Sequence, residues 1–340
     1  MKKYYQHFLL SFLTLICFSN SIIAQTQSKS EIDLPKLNGH KFITNSLIPN
    51  PFINSRISSN LGFASSLETE IPLLRFDSLI SNNGNETIQL SADVGLATGA
   101  FEFSYAVQDW ASIWVNFSGI GRFGTNTPTI FASGITANTT FETGMLFKIK
   151  EYKTSMISSS IKIENSNSTV LNIYEYIKNI IDSTNLNKNY LTQNYNPLSG
   201  SVDLRFAYAP SPKWSILAFI DGGYGELINI DSIENKFSYT VGGSFNYDLG
   251  LTTSLPFGIG AAFKINSNTP TLQYNKTATQ TYMLQLIYTG GSDFLIGLES
   301  NYVRIPTRLN NVTINLSSFN LNWSYFLNKY FNTVNIKAKF

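Results

Sequence analysis

The chain has 340 residues, 43% hydrophobic, 14% aromatic and only 14% charged, where a soluble domain carries roughly 25% charged residues. Beyond the first two dozen residues no stretch approaches the ~18 consecutive apolar residues of a membrane-spanning helix, which excludes a helical membrane protein. Glycine (22) and proline (11) are near background, while Phe (25) and Tyr (18) are abundant, so collagen-like and disordered classes are excluded too. A large, aromatic-rich β-protein remains.

The N-terminus reads as a secretory signal peptide. Lys2 and Lys3 form a basic region, Phe8 to Phe18 an apolar one, and Ser19 to Ala24 a weakly polar one ending in a small residue. Cleavage is expected after Ala24, with Ser21 as the alternative. Cys17 is preceded by Ile16, where lipoprotein signals place a small residue, so lipid attachment is not expected. Removing residues 1–24 takes Lys2 and Lys3 and leaves bases and acids equal at 22 each. No nucleic-acid partner follows from such a balance. Cys17 and His7 leave as well, so the mature chain has no cysteine and one histidine, His40. Disulfide frameworks, thiol chemistry and Cys/His metal sites are excluded, and no cofactor is expected. A Ser-His-Asp hydrolase would depend on His40, which sits in a polar segment and is expected to be a solvated surface residue.

Residues 25–50 are polar and strand-poor, and two placements are open: a plug folded into a lumen, or a segment hanging free on the periplasmic side. Beyond residue 50 the chain alternates. Phe101, Phe103, Tyr105 and Val107 oppose Glu102, Ser104 and Ala106. Phe141, Thr143, Met145, Phe147 and Ile149 oppose Glu142, Gly144, Lys148 and Lys150. The same separation holds for Val202 to Tyr208, Phe237 to Tyr247, Leu255 to Phe263, Tyr282 to Tyr288 and Phe294 to Leu298. In a strand, successive side chains face opposite sides, so this pattern fits a sheet between lipid and water. Residues 312–326 alternate with a parity slip that predicts a β-bulge at Ser317–Ser318.

Short turns near 108–110, 210–212, 247–251, 288–294 and 325–330 recur with aromatic residues beside them, as an interfacial girdle requires. The other connections, 124–137, 165–198, 227–235 and 266–277, are longer. A secreted β-sandwich or soluble barrel would carry a richly charged polar face; here that face is mostly Ser, Thr, Asn and Gly. These features, with Phe340 preceded by Ala338, Ile336 and Val334, resemble a bacterial outer-membrane β-barrel. The resemblance implies export to the periplasm, insertion by the barrel-assembly machinery into the outer membrane of a Gram-negative cell, and lipid around the wall.

The expected fold is all-β, a transmembrane antiparallel up-and-down barrel of about twelve strands (range 10–14). Ending it at Phe340 would put the short turns outside the cell. Ending it at Phe326, with a first strand near 53–66, restores the usual arrangement and leaves 327–340 as a tail or an extra strand. Residues 169–182 show helical spacing instead, with Ser168 as N-cap and Val170, Ile173, Tyr174, Ile177, Ile180 and Ile181 on one face. Such a helix would be a lid or a hydrophobic portal, or would pack on the rim. Asn50–Pro51–Phe52 is similar to the Asn-Pro-Ala motif of the outer-membrane fatty-acid and hydrocarbon transporter family. Phe52 departs from that motif, the family's preceding glycine-rich block is missing, and Asn-Pro also opens turns.

Ten charges fall on the inward face: Glu102, Arg122, Glu142, Lys148, Lys162, Asp203, Arg205, Asp221, Lys264 and Glu299. Mixed signs predict a weakly selective lumen or one cross-braced by ion pairs, with Asp203 and Arg205 as a bracing pair. The expected function is a channel or transporter for small solutes, hydrophobic ligands included, by passive or gated diffusion. The alternative is a closed barrel serving as an anchor or partner-binding scaffold through its outer loops.

Overall fold

The computed structural model describes residues 34–66, 95–123, 134–171, 192–229, 232–267, 278–306 and 313–327. The expected signal peptide, most of the loop helix (172–182) and the segment 328–340 lie outside them.

A small hairpin comes first, β1 (Lys36–Leu37) and β2 (His40–Lys41). The barrel strands follow in chain order as β3 (Arg56–Ser66), β4 (Gly95–Gln108), β5 (Ala111–Phe123), β6 (Gly134–Glu151) and β7 (Ser155–Leu171). After a short β8 (Thr192–Tyr195) come β9 (Leu198–Ser211), β10 (Trp214–Asn229), β11 (Ser232–Asp248) and β12 (Phe257–Asn266). The last three are β13 (Thr279–Tyr288), β14 (Phe294–Pro306) and β15 (Thr313–Phe326). Each strand pairs antiparallel with its sequence neighbour, β9 pairing with β7 while β8 adds to the far end of β7. β15 pairs with β3 from Phe326↔Arg56 to Leu316↔Ser66 and closes a twelve-strand barrel. The closing partner is thus the strand that begins at Arg56, and the ladder ends at Phe326. Among the described residues no helix is long and apolar enough to cross a membrane.

The side-chain distribution is inverted relative to a water-soluble protein. Phe63, Phe319, Leu284 and Phe237 are 67%, 70%, 68% and 84% exposed on the outer face. Asn246, Glu299 and Asp203 are 0%, 1% and 3% exposed on the inner one. Such a surface is stable only where the outer solvent is hydrocarbon. At the short-turn end, outward aromatics stand in neighbouring pairs: Trp110–Phe147, Trp214–Phe245, Phe257–Tyr288 and Tyr288–Phe294, with ring centroids 5.9–6.2 Å apart. Rings at this height suit the headgroup boundary.

Four sequence expectations are corrected. The ladder β14–β15 runs without a register shift through Ser317↔Tyr302 and Ser318↔Asn301, so there is no bulge there. The parity slip arises because Leu316 shares the inward face of Ser318 and Asn320. The 227–235 connection is a hairpin paired as far as Asn229↔Ser232, and β7 reaches Leu171. Beyond the lipid a sheet needs only backbone pairing, not apolar alternation. Ser168 is therefore a strand residue, 1% exposed, whose hydroxyl donates to Asn138 Oδ1 at 3.0 Å, and it caps no helix; Val170 is likewise in β7. Leu255 lies in the turn before β12, because Pro256 has no N–H to give a ladder.

Candidate functional site

The site is the barrel interior, and its first component is residues 34–55. Asn38 and Gly39 have φ of 49° and 80° and join β1 to β2. Two successive positive φ values make the tight hairpin turn that Asn-Gly favours. The Asn-Gly dipeptide is the sequence signal for structure in a segment otherwise poor in strand pattern.

Past the hairpin, Phe42, Leu47, Ile48 and Phe52 form one buried cluster with Met156 of β7, Ala207 and Ala209 of β9, Leu217 of β10, Ala262 of β12 and Met283 of β13. Leu34 and Ile43 form a second with Ile287, Leu295 and Phe326. These wall residues sit among inward positions otherwise filled by Ser, Asn and charge. They are an apolar seat.

Polar contacts hold the same segment to separate strands. Glu299 of β14 accepts from Ser46 N at 3.0 Å, from the Ser46 hydroxyl, and from the Asn60 and Asn322 amides at 3.2 and 2.8 Å. Gln285 Nε2 donates to Thr44 O at 2.9 Å, and the Thr44 and Ser324 hydroxyls are 3.3 Å apart. Arg205 donates Nη1 to Asn50 O at 2.6 Å, Nη2 to Ser160 Oγ at 2.8 Å, and both Nε and Nη2 to Asp203. Asp203 also accepts from Ser160 N and Oγ. The ion pair and the serine tie β9 to β7 and to the segment. Asn50 Oδ1 accepts from Phe52 N at 3.2 Å, so Asn50–Pro51–Phe52 is an Asx-type turn against the wall.

His40 is fully buried, which corrects the expectation of a solvated surface residue. It closes the hairpin onto β9–β10: Nδ1 donates to Pro212 O at 2.8 Å, and the ring meets Phe42 edge-on at 5.2 Å. Nε2 is buried with no partner. Desolvation pushes the imidazole below its ordinary pKa, opposed by the Pro212 bond and the charge of Asp248.

Farther up the lumen, toward the long connections, Lys162 of β7 bonds Glu142 of β6 at 3.0 Å and lies 3.4 Å from Asp221 of β10. Lys264 of β12 stands opposite Gly242 of β11 and Thr281 of β13 in the ladder. Glu102 pairs with Arg56, a residue absent from the sequence-derived set because it precedes the strongly alternating region. Arg122 sits higher on β5, opposite Leu96. Lys148 is apart from these: it pairs with Glu151 at 2.8 Å on the short-turn rim, the two side chains 28% and 46% exposed. The other nine share the inner wall. Among the described residues no group of three or more His, Cys, Asp or Glu could hold a metal ion.

No protein-family model matches the chain, and no curated sequence is significantly similar to it. Among solved structures it is similar to an outer membrane channel from Pseudomonas putida F1, at 11% identity and a TM-score of 0.46, over 84% of this chain and 100% of that one. It is similar to the NanC porin at 10% identity and 0.44, over 79% and 98%. A Pseudomonas aeruginosa FadL homologue aligns at 9% identity and 0.41, over 80% and 90%. The chain folds as a closed twelve-strand antiparallel barrel with its apolar face outward, the architecture of a transmembrane β-barrel.

Proposed function

We propose that this barrel is a gated outer-membrane channel for small solutes, hydrophobic ones included, with residues 34–55 as its movable plug. One observation carries the reading. The lower lumen is filled by a segment that adds no strand to the barrel sheet and is held by side-chain hydrogen bonds and an apolar seat, while the charged wall above keeps solvent-accessible surface. On this reading the chain is exported after loss of residues 1–24 and inserted by the barrel-assembly machinery. Its outward face meets outer-membrane lipid, and the interior performs no covalent chemistry.

The filled lower lumen also supports the scaffold alternative, in which the plug never leaves and the outer loops work. Planar-bilayer recording of the purified, refolded chain separates the two. Discrete conductance steps are expected from a channel, and a barrel that inserts and stays silent would favour the scaffold.

A further inference from the structure

We propose that a groove on the outward wall of β3 to β7 holds one lipid A-type glycolipid of the outer leaflet, its acyl chain lying over Gly99 and Gly119 and its amide junction meeting Asn165 and Asn167. The inference goes beyond conduction and rests only on the outward face meeting lipid.

The groove has a volume of about 530 Å³, and its floor is the cross-strand pair Gly99↔Gly119. A Cβ at Gly119 would meet nothing nearer than 3.8 Å, and one at Gly99 only Leu61 at 3.4 Å, so the space over the floor is open. On the short-turn side an aromatic ledge bounds it: Phe101 stands opposite Phe117 and Phe117 opposite Phe141, the last two rings 4.9 Å apart. Farther up the strands Phe63 and Phe123 meet edge to face at 6.3 Å. Between the two ledges the outward positions of β4 and β5 are small, Ala97 opposite Gly121.

Polarity changes along the groove in one direction. The ladder row through the floor runs Leu61↔Gly99↔Gly119↔Thr139↔Asn167. Counted from the short-turn end, Leu61 comes midway along β3 and Asn167 near the end of β7, so the row climbs toward the long connections as it crosses the tilted wall. Its deep end is apolar. At its shallow end, on the outward face of β7, Ile161 and Ile163 give way to Asn165 and Asn167, exposed side chains with no hydrogen-bond partner among the described residues. A carboxamide at the edge of hydrocarbon needs both a donor and an acceptor from whatever covers it. A phospholipid chain is joined by an ester, which only accepts. A lipid A chain is joined by an amide with a β-hydroxyl beside it, and supplies both. The described lining carries no charged side chain, so recognition falls on this uncharged junction.

Native mass spectrometry of the refolded full chain in detergent tests this, with lipid A and dipalmitoyl phosphatidylethanolamine titrated separately. One lipid A per barrel is expected, held at least about tenfold more tightly than the phospholipid, the worth of one hydrogen bond. Gly119→Phe fills the floor and should weaken lipid A by about tenfold or more. Asn165→Leu with Asn167→Leu should erase the preference between the two lipids. Gly222→Phe is the control: Gly222 lies on the outward face of β10 between the exposed Ile220 and Tyr224, with nothing within 4 Å of a Cβ, and its replacement should leave lipid A binding unchanged. Equal affinity for the two lipids, binding unchanged in Gly119→Phe, or equal loss in Gly222→Phe would overturn the proposal. Heat-modifiable electrophoretic migration checks that each variant is a folded barrel. Should Gly119→Phe not fold, the double leucine variant decides, and a lipid A preference that survives in it overturns the proposal.

Discussion

Arg205 shows how single residues hold the plug. Its guanidinium spends its donors on Asp203, Ser160 and the Asn50 carbonyl, and both partners of the ion pair are buried. Arg205→Met strands the Asp203 carboxylate without its cation, at a cost of about 3–5 kcal/mol. The expected result is a lower urea midpoint and faster protease cleavage within residues 34–55. Adding Asp203→Asn should recover much of the midpoint, since the uncompensated charge is then gone. His40 adds a pH dependence. Its folded-state pKa is depressed by burial, so it stabilises the seated plug fully above the ordinary value of about 6.5 and loses that contribution as pH falls below it. Protonation would also place an N–H at Nε2 where no acceptor waits. Cleavage of the plug by protease should quicken between pH 7.5 and about pH 5, and His40→Gln should remove that contribution to the change.

For the strands, the decisive quantity is which solvent each face meets. Leu284 on β13 is 68% exposed, and in water Leu284→Arg would change stability by less than about 0.5 kcal/mol. Against the hydrocarbon core it should cost about 2–4 kcal/mol, read as a shifted unfolding midpoint in liposomes. A near-zero shift would mean this face is not membrane surface. The same two-solvent constraint makes the strands after residue 100 legible, because it forces a period of two; the first, near 53–66, follows instead from the placement of the short turns. Strand ends were less legible. Past the lipid boundary the constraint lapses while backbone pairing continues, as at Val170–Leu171 and Asn229↔Ser232. Ser168 to Leu171 could accordingly be read as the start of a helix.

At the scale of the molecule, the docking of residues 34–55 was only partly written in local pattern. Two signals were available. One was Asn38–Gly39. The other was the set of apolar residues on the otherwise polar face, Leu146, Met156, Leu217, Met283 and Ile287, which mark an inner surface that must be covered. What could not be read was which segment covers it, because that pairing joins residues more than a hundred positions apart, as in Asn50 with Arg205. The charges were legible as inward, but their partners were not: Lys162 with Asp221, or Arg56 with Glu102, depends on register between strands.

A gate formed by residues 34–55, as proposed, must hold the barrel closed when it is tethered to the wall. Residues 25–340 contain no cysteine, and the Thr44 and Ser324 hydroxyls lie 3.3 Å apart, one on the plug and one on β15. Thr44→Cys with Ser324→Cys therefore offers a reversible tether, and planar-bilayer conductance before and after reduction is the direct measurement. A gating plug leaves the barrel closed while the disulfide is formed and restores conductance steps when it is reduced. Equal conductance in the two states, or silence in both, would contradict it.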